Sequence, residues 1–94
     1  MALDYDIRLQ AAEYFAQEAP ELLAVIEQEL LQLKTQRTIN RVHNLMRAAH
    51  SLKGGAATVG LGLITDLSNK LEDSFKGLYR ESLVLDAELE ELLF

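Results

Sequence analysis

Apolar residues recur at intervals of three and four through the first third of the chain, at Ile7, Ala11, Phe15, Ala19, Leu22, Ile26, Leu30 and Leu33. That spacing draws one stripe along a helix and predicts a first helix from about Asp4 to Lys34. Pro20 falls inside the pattern. It lacks a backbone donor and its ring crowds the preceding turn, so a kink or break is expected near residues 16 to 20. Because the stripe continues past it, one bent helix or two nearly collinear ones are expected. Residues 34 to 38 form a polar connector, with Thr38 placed to cap the next helix.

A second helix is predicted from about Ile39 to Val59, with Val42, Leu45, Met46, Ala49, Leu52, Ala56 and Val59 on one side. Gly60 and Gly62 end it, since glycine readily takes the left-handed conformation at a helix terminus. The third predicted helix, roughly Leu63 to Tyr79, carries Ile64, Leu67, Leu71, Phe75 and Leu78 inward. A fourth is expected to begin at Asp86 as N-cap, with Leu89, Leu92 and Leu93 apolar, and to be cut short at Phe94. Short connectors make neighbouring helices antiparallel, so the expected fold is all-α, an antiparallel up-down four-helix bundle with a truncated last helix.

Composition agrees with helix. Leucine and alanine supply 30 residues against 8 valines and isoleucines, and no stretch alternates apolar and polar over a strand's length. Ninety-four residues make one small domain over 1–94, and a longer multidomain parent is expected. The absence of cysteine excludes disulfide scaffolds, thiolate metal sites and cysteine nucleophiles. The amino terminus has no signal-like apolar run and no stretch is long and apolar enough for a bilayer, so a cytoplasmic domain without membrane insertion is expected.

Charge is uneven. The net charge of −6 argues against general nucleic-acid binding. Residues 1–34 carry −5 and residues 60–94 carry −5, whereas residues 35–59 hold Arg37, Arg41, Arg47 and Lys53 with no acid, giving +4. The second helix is thus a basic rod in an acidic protein, suited to an anionic ligand or an acidic partner surface, or simply to pairing with its acidic neighbours.

The segment Arg-Ala-Ala-His-Ser-Leu-Lys-Gly-Gly-Ala-Ala (47–57) concentrates the chemistry. His50 and Lys53, three apart, are surface neighbours on a helix, and His50 falls on the shoulder of the apolar stripe. Gly54 and Gly55 follow, and each glycine inside a helix costs roughly 1 kcal/mol relative to alanine, so the pair calls for a reason. A bare backbone beside the ring would let another body approach; a close helix-packing contact would explain the glycines equally well. Imidazoles in general titrate near pH ~6.5, which leaves a neutral nucleophilic nitrogen at cytoplasmic pH. A nucleophilic nitrogen, a cation one turn away and a bare patch suit transient carriage of a phosphoryl group.

Other chemistries fit less well. His43 and His50 lie seven apart, about 10 Å along the axis, too far to share one metal ion, so no metal site is expected. The glycines match neither a dinucleotide-binding loop nor a nucleotide P-loop. Ser51 points to a different helix face from His50, which disfavours a hydrolase pair. A solvated surface histidine is the plain alternative for His50.

Ala-His-Ser-Leu-Lys-Gly-Gly-Ala-Ala-Thr-Val-Gly (49–60) resembles the signature of histidine phosphotransfer domains. More narrowly, it resembles the amino-terminal phosphotransfer domain of CheA-type chemotaxis kinases. The flanking segments Phe-Ala-Gln-Glu-Ala-Pro-Glu-Leu-Leu (15–23), Ile-Glu-Gln-Glu-Leu-Leu-Gln-Leu (26–33) and Lys-Leu-Glu-Asp-Ser-Phe (70–75) extend the resemblance over nearly the whole chain. It implies that His50 is the phosphoacceptor, Lys53 its electrostatic partner and Glu72 the carboxylate that bonds the ring's other nitrogen. Without the resemblance, Glu72 reads as a surface acid paired with Lys76. Arg47, Gly54, Gly55 and Ala57 are the expected partner-docking positions. The family often carries a histidine three residues before that glutamate; here it is Asn69, a candidate to support the site residues from behind, so any network through it must differ.

The resemblance implies a phosphorelay module, not an enzyme by itself. A histidine kinase catalytic domain would supply the phosphoryl group and the aspartate of a response-regulator receiver domain would remove it. No cofactor is expected in this domain; ATP and Mg²⁺ belong to the partners. A monomer is expected. The rivals are a docking bundle that carries no phosphoryl group and a purely structural, dimerising bundle with His50 buried in a subunit contact.

Overall fold

A computed structural model describes residues Ala2–Leu93. They form three helices, α1 (Ala2–Leu33), α2 (Ile39–Thr58) and α3 (Gly62–Leu93), in an elongated body of 64 × 19 × 19 Å. The all-helical expectation holds. α1 continues unbroken through Pro20, which stands exposed. The one backbone bond that proline forfeits is outweighed by the apolar stripe on both sides of it, where Phe15 and Ile26 are buried against α2.

Both ends of α2 are fixed by the side chains and backbone that the sequence places there. Thr38 has extended backbone (φ −117°, ψ 153°), and its hydroxyl accepts from the Arg41 amide at 3.3 Å, the geometry of an N-cap. Arg41 also holds the α1–α2 corner, donating to the side-chain oxygens of Gln32 and Gln36 and lying 3.6 Å from Glu29. At the other end Gly60 takes φ +77°. The Leu61 amide donates to the Ala56 carbonyl at 2.9 Å and the Gly60 amide to the Ala57 carbonyl at 3.2 Å, closing a Schellman motif.

The expected fourth helix is corrected. Residues 79–86 continue α3 instead of turning, so Asp86 lies inside a helix and caps nothing. Glycine and proline are absent from that stretch, and the Ser82 hydroxyl bonds back to the Leu78 carbonyl at 2.9 Å, which satisfies it within the helix. An N-cap needs an extended residue before it, and none precedes Asp86. Leu89 and Leu92, expected as the apolar positions of that helix, are 55% and 83% exposed. Phe94, the expected last residue of that helix, lies outside the described residues.

α1 and α3 each pack along α2 and leave an open channel between themselves. Ile26, Leu45, Ala48, Ala49 and Phe75 form one buried cluster; Phe15, Leu52 and Ala56 form another, and Leu22 touches both. α2 is the shared wall, with Val42, Leu45, Ala49 and Ala56 wholly buried. Ile7 and Leu30, expected on the stripe of α1, are exposed.

The adjacent glycines of α2 meet different surroundings. A Cβ on Gly55 would stand 2.7 Å from Phe15 Cδ2, so this glycine lets α1 approach α2, the packing reading that the sequence left open. A Cβ on Gly54 would meet nothing within 4 Å. Gly54→Ala is therefore expected to stabilise the fold by up to about 1 kcal/mol through helix propensity. Gly55→Ala is expected to destabilise it on the order of 1 kcal/mol, because overpacking of about 1–3 kcal/mol exceeds that gain. Urea denaturation of the two variants checks this; a Gly55→Ala protein at least as stable as the parent contradicts it.

Candidate functional site

His50 lies in the second half of α2, and its side chain is 70% exposed, more open than a stripe shoulder suggests. Across the α2–α3 seam, Glu72 is 3% exposed, although without the resemblance it read as a surface acid. The two meet through His50 Nδ1 and Glu72 Oε2 at 2.6 Å. Lys53, one turn along α2, donates from Nζ to the other carboxylate oxygen, Oε1, at 2.5 Å. The same ammonium lies 3.4 Å from Asn69 Oδ1, one turn before Glu72 on α3. Lys76 Nζ stands 4.0 Å from Glu72 Oε1.

Burying a carboxylate is costly unless it is paired, and here each oxygen has its own partner. The Lys53 hydrogen bond holds the Glu72 carboxyl below the usual carboxylate range; burial opposes this, and the His50 bond and the Lys53 and Lys76 charges add to it. An ionised carboxylate only accepts. The hydrogen between Glu72 and the ring therefore belongs to His50 Nδ1, and in the neutral ring the lone pair sits on Nε2. That nitrogen is at the end of the ring away from Glu72, on a side chain largely in solvent.

Of the residues singled out in the sequence, His50, Lys53, Glu72 and Asn69 come together as one connected group. Gly54 lies one turn after His50 with open space above it, and Arg47 and Ala57 are exposed on α2 to either side. Gly55 instead faces Phe15 of α1. His43 is apart from this group, its ring 6.1 Å from that of Tyr79. Lys76 is the residue whose place sequence reasoning undervalued. Its spacing from Glu72 was visible, but the burial that turns a surface pair into a site contact was not. Among the described residues no group of three or more histidines, aspartates or glutamates could hold a metal ion. None of the helices is long and apolar enough to cross a membrane among those residues.

The Hpt domain family profile matches residues 10–93. The chain is 43% identical over 76 residues to the chemotaxis protein CheA of Klebsiella aerogenes, covering 80% of this chain and 12% of that protein. It is 35% identical over 81 residues to CheA of Treponema pallidum (84% and 10%) and 34% over 76 residues to CheA of Salmonella typhimurium (80% and 11%). The chain thus spans about a tenth of the length of these relatives. No solved structure matches it.

The lowered Glu72 pKa fixes a pH dependence. A carboxyl depressed in the folded state contributes stability that is present above its unfolded value, 4.5, and is lost as pH falls through the folded value. Stability of the parent protein is expected to fall on acidification below about pH 4.5 more steeply than that of Glu72→Gln, as followed by urea midpoints across pH. Parallel acid limbs in the two proteins would contradict this.

Proposed function

Because the chain belongs to the Hpt domain family, we propose that it is a phosphocarrier: His50 accepts a phosphoryl group from ATP bound to a histidine kinase catalytic domain. An aspartate of a response-regulator receiver domain then takes it. The observation that carries the reading is the bond between buried Glu72 and His50 Nδ1, which leaves an exposed Nε2 with its lone pair. In the transfer Nε2 forms the bond to phosphorus as the bond to ADP breaks, and ADP leaves with that electron pair. The ring gains positive charge while Nδ1 keeps its hydrogen, and the Glu72 carboxylate faces that charge as it develops. Lys53 and Arg47, three residues to either side of His50, are the cations one turn from the ring on the same helix for the phosphoryl oxygens.

Gly54 supports the same reading from another side. It costs helix propensity and relieves no clash, so clearance for a bulky partner beside the ring is the benefit left to it. Arg47, Ala57 and the otherwise acid-free α2 give that partner a basic, uncluttered face. The module fits a longer cytoplasmic kinase of the CheA kind, in which nucleotide and Mg²⁺ are held by partner domains.

The four-helix architecture belongs to this reading as well. Leu23, Ile64, Leu67 and Leu71 line the channel between α1 and α3 with apolar surface, which a further antiparallel helix in a longer chain would cover. Leu67 and Leu71 side chains as exposed to solvent in such a longer chain as in this one, read by a soluble paramagnetic probe on their methyl signals, would rule this out.

Transfer is tested by incubation with a CheA-type catalytic domain, Mg²⁺ and labelled ATP. An acid-labile, base-stable label is expected, absent from His50→Gln and formed roughly ten- to a hundredfold more slowly in Glu72→Ala, the usual scale for losing an orienting partner. An unlabelled parent chain would leave a docking bundle in place of the phosphocarrier.

A further inference from the structure

Glu72 divides its two oxygens unequally. Oε2 is taken by His50 alone, whereas two ammonium groups converge on Oε1: Lys53 from α2 at 2.5 Å and Lys76 from α3 at 4.0 Å. The two lysines differ in what holds them. Lys53 is 28% exposed and bound to both Glu72 and Asn69; Lys76 is 44% exposed, and Glu72 is its one ion-pair partner among the described residues. Lys76 sits one turn beyond Glu72 on the same helix, so the α3 backbone keeps it within reach of Oε1 whatever α2 does.

A phosphoryl group on Nε2 changes the balance of charge at this point. The phosphorus bond to Nε2 forms, the leaving oxygen departs with its electron pair, and the ring holds Nδ1–H against Oε2. Two negative charges then stand at the exposed end of the ring, one turn from Lys53. When its ammonium turns toward them it gives up contact with Oε1, and the other ammonium beside that buried oxygen is Lys76 at 4.0 Å. Asn69 makes that departure easier than an acid at the same position would, since its amide oxygen carries no charge.

From this convergence we propose that Lys76 is a positioning residue that replaces Lys53 on Glu72 Oε1 while His50 carries the phosphoryl group. The proposal rests on the phosphocarrier reading above. It assigns the two lysines successive roles on one oxygen: Lys53 holds the carboxylate in the resting state and then turns to the phosphoryl oxygens. Lys76 moves in by the short distance that separates them. The Nδ1–H···Oε2 bond is kept throughout, so the tautomer survives the exchange.

Phosphoramidate, a small phosphodonor that needs no kinase, tests this on the chain alone, with the rate of phosphohistidine formation followed by ³¹P NMR. Lys76→Gln is expected to be phosphorylated on His50 roughly three- to tenfold more slowly, the scale of one lost polar partner. Lys76→Arg is expected within about twofold of the parent, and the melting temperature nearly unchanged in both, because in the resting state Oε1 keeps its 2.5 Å bond to Lys53 and Lys76 is 44% exposed. In the parent, hydrogen exchange at the Lys76 ammonium is expected to slow when His50 is phosphorylated. A Lys76→Gln rate equal to the parent's, an equal loss in Lys76→Arg, or an ammonium indifferent to phosphorylation overturns the exchange and leaves the phosphocarrier reading standing. A parent chain that takes no phosphoryl group on His50 overturns both.

Discussion

One buried carboxylate sets the relation between the two helices that make the site. Glu72 is 3% exposed, and its cost in that position is offset in the resting state by His50 and Lys53, which stand opposite its two oxygens. Both partners come from α2, one turn apart, and the carboxylate comes from α3. A slip of either helix by one residue rotates its side chains by about 100° and would strand the charge. The arrangement therefore fixes the α2–α3 register and orients the imidazole by the same contacts. A carboxylate one turn from Lys53 on α2 would compete for its ammonium, and those positions hold Ala49, His50, Ala56 and Ala57 instead.

α2 meets two opposite demands along one length. Toward α1 it presents small residues, Ala48, Ala49, Gly55 and Ala56, so that Phe15 and Ile26 can close upon it. On its exposed side it keeps Gly54 bare and His50 open. The capped ends of the helix hold these faces in phase, Thr38 and Arg41 at one end and the left-handed Gly60 at the other. Packing and accessibility are separated by one residue of helical rotation, which is why adjacent glycines serve different purposes.

Much of this was legible in the sequence, for physical reasons that can be named. Three- and four-residue spacing revealed α1 and α2, and glycine at 60 and threonine at 38 marked the ends because their backbone and side-chain chemistry suits those positions. The grouping of His50, Lys53 and Glu72 followed from one-turn spacing on α2 and from the family resemblance. The continuation of α3 through residues 79–86 was not legible, since Arg80, Glu81 and Ser82 interrupt the leucines as a connector would, and only Ser82 buried and bonded to Leu78 shows otherwise. Nor could the sequence separate Gly54 from Gly55. That distinction depends on where the ring of Phe15 lies, a contact between residues forty positions apart.

Glu72 dictates which nitrogen of His50 carries the hydrogen. Nitrogen-15 chemical shifts of the His50 ring at neutral pH, in the parent and in Glu72→Ala, report this directly. The expected result is a protonated Nδ1 with a pyridine-like Nε2 in the parent, and loss of that preference once the carboxylate is removed. A parent ring with its hydrogen on Nε2, or the same Nδ1–H form in Glu72→Ala, would contradict that role for Glu72.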